Sequence, residues 1–299
     1  ETKTPKIEPL RMMLNMELAM IDTIHEEKIT SNGEERVKNN NIEEQPTNEK
    51  VEEIQTGVKT EVLENNVPTK FTDEYNGVKV KNGTDNKLTK EILTPNININ
   101  MKNVLIFHTH TWESYTPSQA YPYKQTGNFR TTDRNYSVVR VGRELENYLK
   151  PYGYNIIHDE SYHDYPSYSG SYSSSLWSAW HRNFVKKRNV YCDWADDNTY
   201  APTVKIGEEY AAQLMFVIGS NGGVDEHENW QENLKFAVKV QEKANELYPG
   251  LFKPIILRNS DYNQFVSKAA CIIEVGATGN TLEQCLASMK YLSKVIREL

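Results

Sequence analysis

The residues best suited to chemistry fall in three short stretches of the 299-residue chain. HTHTWESY (108–115) holds two histidines and a carboxylate within six residues, directly after the apolar run VLIF (104–107). If the strand continues through His110, His108 and His110 share one face, because side chains alternate along a strand. Glu113 follows in a tight loop, from which its carboxylate can turn back toward an ion held by His110. Imidazole and carboxylate bind zinc at about 2.0–2.2 Å, which makes His110, Glu113 and His108 candidate metal ligands. The alternative is a hydrogen-bonded histidine at a strand end.

The second stretch, CIIEVGATGN (271–280), sets Glu274 inside an otherwise apolar strand. An isolated buried carboxylate is costly, so it must be paired, metal-bound or protonated. Burial also raises a carboxyl pKa toward the range of a general acid/base. An ion pair with a distant Lys or Arg is the competing account. The third stretch, YCDWADDN (191–198), gathers three Asp, which suits turns and caps as well as a functional role. His181, between Trp180 and Arg182, reads as a surface residue of a helix. His158 and His163 border a Tyr- and Ser-rich loop (161–175) of a composition that could line a polymer-binding groove.

These stretches need elements to position them. VLIFHTH (104–110), YNIIH (154–158), VYCDW (190–194), QLMFVIG (213–219), PIILR (254–258) and CIIEVG (271–276) read as apolar strands. Between them lie helical stripes: Val138, Val141, Leu145 and Leu149, ended by Gly153; residues 175–187; about Asn229 to Tyr248; and Leu282 to Leu299. The alternation predicts an α/β fold, a mostly parallel sheet flanked by helices on both faces. In such sheets sites form where strands end and loops begin, which is where His110 and Glu113 fall.

Aromatic residues locate the packed unit, because only Phe71 and Tyr75 of 31 lie in the first hundred residues. The predicted organisation is an amphipathic helix within 1–28, a disordered linker over 29–70, a short strand-rich lead-in over 71–100 and a catalytic domain over 101–299. The linker carries nine acids and five bases and no lasting periodicity. GVKVKNGT (77–84) alternates like a strand and turns at Asn82-Gly83. A net charge of −7 argues against nucleic acid as a partner, and mean hydropathy is −0.69. No apolar run approaches the ~18 residues of a membrane span. Cys192, Cys271 and Cys285 have neither disulfide-framework nor zinc-knuckle spacing and read as small buried residues. No GxGxxG or GxxxxGK[ST] fingerprint supports nucleotide binding.

At these residues the chain resembles the stage II sporulation protein P family, peptidoglycan amidases of endospore-forming bacteria. VLIFHTHTWESYTP, NYSVVRVGRELENYL (135–149), HDYPSYSGSY (163–172), TVKIGEEYAAQLMFVIG (203–219), YPGL (248–251), YNQ (262–264) and IIEVGATGNTLE (272–283) carry the likeness over 101–299. The resemblance implies the fold of zinc-dependent N-acetylmuramoyl-L-alanine amidases. It implies His110 as first zinc ligand with His108 the alternative, Glu113 as carboxylate ligand, and Glu274 as catalytic acid/base. Tyr262 and Asn263 fall to substrate binding. It further implies peptidoglycan as substrate, possible action on stem-peptide cross-links, and a role in spore engulfment. Partners would be a stage II sporulation protein D lytic transglycosylase and protein M. An extracytoplasmic location follows, with an anchor through a segment this chain does not contain. One position departs: where the family has Asp-x-His-Arg-Asp, this chain has Asp193-Trp194-Ala195-Asp196-Asp197, with Ala195 in place of the third ligand. Either Asp193, Asp196 or Asp197 substitutes, or the chain is a non-catalytic peptidoglycan-binding scaffold on the same fold.

Overall fold

Apolar runs become the inner strands of a large sheet, and amphipathic segments become the helices that cover it. The computed structural model describes residues 57–63, 70–98, 102–181, 188–195, 200–221, 228–260 and 262–299, so the expected N-terminal helix lies outside the described residues. In chain order the strands are β1 (Thr60–Val62), β2 (Asp73–Tyr75), β3 (Val78–Asn82), β4 (Asn103–Phe107), β5 (Asn155–Asp159), β6 (Arg188–Ala195), β7 (Thr203–Ile206), β8 (Glu209–Ala212), β9 (Leu214–Gly219), β10 (Ile255–Arg258) and β11 (Ala270–Ala277). The helices are α1 (Lys90–Leu93), α2 (Val138–Leu149), α3 (Ser171–His181), α4 (Trp230–Leu247) and α5 (Leu282–Arg297).

The large sheet has the order β2-β3-β10-β9-β11-β6-β4-β5. β11, β6, β4 and β5 run parallel to one another, as do β9, β10 and β3. The two halves meet antiparallel at β9–β11, and β2 pairs antiparallel with β3. The fold is therefore mixed α/β, and the expected mostly parallel sheet is corrected. TVKIGEEYAA, to which the sequence reading assigned no element, precedes β9. It folds as the β7–β8 hairpin around Gly207, whose φ is 62°, and it separates β6 from β9 in the chain.

β1 lies inside the tract assigned to the linker. It pairs antiparallel with β7 from Thr60↔Ile206 to Val62↔Val204, so ordered backbone begins earlier than expected. Three residues with one β-branched pair give too short a pattern to read against charged surroundings. The rest of that tract lies mostly outside the described residues.

One face of the sheet carries the main core. Val104, Ile106, Ile273 and Val275 pack with Val141 and Leu145 of α2, Leu234 of α4 and Met289 and Leu292 of α5. The other face has a thinner cluster of Leu105, Phe107, Val217 and Ile272. Cys271 and Cys285 are buried and free. α2 starts at Ser137, whose hydroxyl accepts from the Val139 N–H at 3.3 Å. α5 starts with a capping box between Thr281 and Gln284. Among the described residues no helix is long and apolar enough to cross a membrane.

Candidate active site

β4 stops at Phe107, one residue short of the first histidine. The chain then turns, and the Glu113 N–H donates to the His110 carbonyl at 3.1 Å. His108 and His110 therefore do not share a strand face, which corrects the expectation drawn from their spacing. His108 lies under α2, its Nε2 2.8 Å from Nε2 of His158. His158 Nδ1 lies 3.3 Å from the Glu146 carboxylate. The His158 hydrogen bond, with help from Lys150 and against burial, holds the Glu146 carboxyl down at about 2. Gly142 makes room for the pair, since a Cβ there would stand 2.7 Å from each Nε2.

His110 points elsewhere, into a tyrosine-lined wall, and is only 5% exposed. The Tyr168 ring stacks on it at 4.7 Å, with its hydroxyl 3.2 Å from Nε2. Tyr172 approaches edge-on at 5.6 Å. Glu113 is equally buried, and Arg130 reaches its Oε1 at 3.4 Å. Asp164 clamps the turn by accepting from the Thr111 hydroxyl and the Trp112 N–H, each at 3.1 Å. Burial pushes the Asp164 carboxyl up, and those two donors oppose the shift.

The same turn is laced to the loop after β11. The Thr116 N–H donates to the Asn280 carbonyl at 3.0 Å, and its hydroxyl donates to the Thr278 carbonyl at 2.6 Å. Glu274 sits on β11 in register with Asp193 of β6 and Met215 of β9. It is half-buried while its strand neighbours are buried, so the expected full burial is corrected. Directly after it the β6 register shifts, and Gly276 takes a φ of 69°. Asn280 holds this irregularity by accepting the Ala277 N–H at 2.9 Å. Burial pulls the Lys253 ammonium down and the Glu274 charge opposes it, so Lys253 is the electrostatic neighbour the sequence did not identify.

β4, β6 and β11 are adjacent and parallel, so the His110 turn, Ala195 and Glu274 lie toward one edge of the sheet. Ala195 itself is in register with Ala277. Asn263 is committed to the scaffold, because its amide donates to the Tyr172 carbonyl at 2.8 Å. Tyr262 packs on the thinner apolar cluster, 6.2 Å from the Tyr172 ring. Sequence reasoning missed Arg130, Asp164 and the ordered Asp159–His163–Ser174 cluster. The HDYPSYSGSY stretch was the available signal for the last two. Among the described residues no group of three or more His, Cys, Asp or Glu side chains is gathered to hold a metal ion. A catalytic zinc ordinarily has three protein ligands, so the described residues alone do not complete such a site.

The fold and site define a mixed α/β domain with its candidate catalytic groups on a loop and a strand toward one edge of the sheet. The chain belongs to the stage II sporulation protein P family, whose profile matches residues 8–297. Stage II sporulation protein P of Bacillus subtilis (strain 168) is 25% identical over 216 residues, 66% of this chain and 51% of that protein. The chain thus spans about half the length of this curated relative. Among solved structures, the N-acetylmuramoyl-L-alanine amidase from Clostridium difficile 630 is similar at a TM-score of 0.39 and 13% identity, over 66% of this chain and 94% of that one. The apo N-acetylmuramyl-L-alanine amidase of Mycobacterium abscessus follows at 0.37 and 11%, over 67% and 100%. At these scores the likeness is a general one.

Proposed function

We propose that this domain is a peptidoglycan hydrolase that cleaves the N-acetylmuramoyl-L-alanine amide. The observation that carries the reading is the lacing of the HTHTWESYT turn to the ATGNT loop through Thr116, Thr278 and Asn280. It ties the loop of His110 and Glu113 to the loop behind Glu274, as two halves of one site require. In this reading Glu274 takes the proton of the attacking water and returns it to the leaving amine. Its half-buried position beside Lys253 leaves it open to substrate while limiting solvent. His110 is held by Tyr168 and Glu113 by Arg130, so neither must be ordered when substrate arrives. Zinc is the proposed cofactor. It would supply Lewis acidity, with His110 and Glu113 as donors and Asp193, Asp196 or Asp197 as the source of a third. His108, the alternative donor, is engaged with His158.

The role in engulfment, the extracytoplasmic location, the membrane anchor and the sporulation partners D and M belong to the same proposal. The test is release of L-alanine amino termini from purified sacculi by the full chain, with and without added zinc. Release that zinc restores after chelation supports the amidase. The second reading, a peptidoglycan-binding scaffold, draws on Ala195 at the end of β6. Sacculus binding without release, together with no bound zinc, would favour it.

A further inference from the structure

Asp159 closes β5, the strand beside β4, and lies in register with Phe107 at the same sheet edge as the His110 turn. It is 2% exposed. The Ser161 N–H at 3.0 Å and the Ser178 hydroxyl both donate to it. His163 stands over it with Nε2 3.5 Å from Asp159 Oδ2, its side chain 3% exposed. The other ring nitrogen, Nδ1, lies 2.9 Å from the Ser174 hydroxyl oxygen. The His163 backbone is fixed as well, donating to the Thr111 hydroxyl at 2.9 Å. Ser174 is half-buried on the first turn of the 11-residue helix α3. Helical side chains lean toward the N-terminus, so this hydroxyl leans toward the first-turn N–H donors and the positive end of the helix.

A hydroxyl within hydrogen-bond reach of an imidazole that faces a buried carboxylate has the parts of an activated serine. The two ring nitrogens exchange their usual tasks, and either can act as base when the other carries the proton. Burial works against the Asp159 charge, but the His163, Ser161 and Ser178 donors outweigh it and keep the carboxyl ionised. Asp159 Oδ2 faces Nε2 across 3.5 Å, and Nδ1 faces the Ser174 hydroxyl at 2.9 Å.

We propose that Ser174, His163 and Asp159 form a nucleophilic triad for acyl transfer on an amide or ester carbonyl, a second reactive centre beside the His110 turn. Ser174 Oγ would bond to the carbonyl carbon as its proton passes to His163 Nδ1. The C–N or C–O bond then breaks, the leaving group takes that proton, and an acyl ester remains on Ser174. Water attacks the ester through the same base, releasing the acid and restoring the hydroxyl proton. No metal and no further reactant are needed, so the proposal does not rest on the amidase reading.

The test uses the full chain with a chelator present and a fluorophosphonate probe, whose phosphorus bonds to an activated serine as fluoride leaves. The expected result is one adduct, mapped by peptide mass to Ser174. His163→Gln should slow its formation by about 10²-fold or more. Ser173→Ala, changing an exposed neighbour, should label like the unchanged protein. No adduct, an adduct only at another residue, or an unchanged rate in His163→Gln overturns the proposal. Should His163→Gln fail to fold by circular dichroism, mapping on the unchanged chain decides alone.

Discussion

Gly142 shows how one missing methyl group can set a site. Alanine is favoured over glycine in a helix interior by about 1 kcal/mol, which on propensity alone predicts stabilisation. Here the added Cβ would stand 2.7 Å from both the His108 and the His158 Nε2 atoms. Overpacking of that kind costs about 1–3 kcal/mol, so Gly142→Ala should lower the thermal midpoint. A raised midpoint in a thermal melt would show that the histidine pair yields freely. Glu274 poses a different question, since Lys253 offers it a structural partner. Glu274→Gln should cut release of L-alanine termini by about 10² or more while the circular dichroism spectrum is kept. Loss of the folded signal would assign Glu274 to an ion pair instead. The substitution Ala195→His should raise zinc affinity by at least about 10-fold, because even losing a hydrogen-bond partner of a metal ligand changes affinity by that much. Equal zinc titrations in both chains would place the third donor elsewhere.

Elements are held by a few buried polar residues, and Asn280 is the clearest. Its carboxamide accepts the Ala277 N–H and donates to Gln284 at 2.9 Å and to Thr203 at 3.1 Å, with no exposed surface. It thereby joins β11, the start of α5 and β7. Removing it orphans buried groups at about 1–3 kcal/mol each, so Asn280→Ala should lower the urea midpoint clearly and loosen the Thr116 contact. The contact between α2 and β5 has an acid signature. Glu146 titrates at about 2 in the fold against an ordinary 4.5, chiefly through His158 and Lys150. A lowered folded value means that its stabilisation is present above 4.5 and is lost as pH falls toward 2. Urea midpoints between pH 5 and 2 should fall, and Glu146→Gln should flatten part of that slope. Asp159 contributes with the same sign.

At the scale of the whole chain, the described residues lie within one compact unit, Glu53–Leu299. The pairing of β1 with β7 ties residues 60–62 to this unit. Composition over the preceding tract favours cleavage there, because it holds repelling charge and almost no core-forming side chains. Limited proteolysis should therefore leave a fragment that begins at or before about residue 57. A stable fragment beginning beyond residue 70 would show that the β1 pairing is dispensable.

Periodicity alone was enough for β4, β5, β6, β9, β10 and β11 and for α2, α4 and α5, because burial of one face imposes a repeat that composition cannot hide. It placed His110 and Glu113 at a strand end and Glu274 inside a strand, for the same reason. Strand direction was not legible, since pairing depends on which end a chain enters. The β7–β8 hairpin announced itself only by Gly207-Glu208, a weaker turn signal than Asn-Gly or Asp-Gly. Nor was the parting of His108 from His110 legible: it follows from β4 ending at Phe107, a choice made by the Asp164 clamp and the Thr116 lacing. Contacts between residues 50 or more apart in sequence decide such matters, as His108 with His158 and Thr116 with Thr278 do here. The sequence by itself determined which residues could react and which runs would be buried. Only the tertiary structure decided which of those residues face one another, because side-chain direction at a loop is set by its partners and not by its spacing.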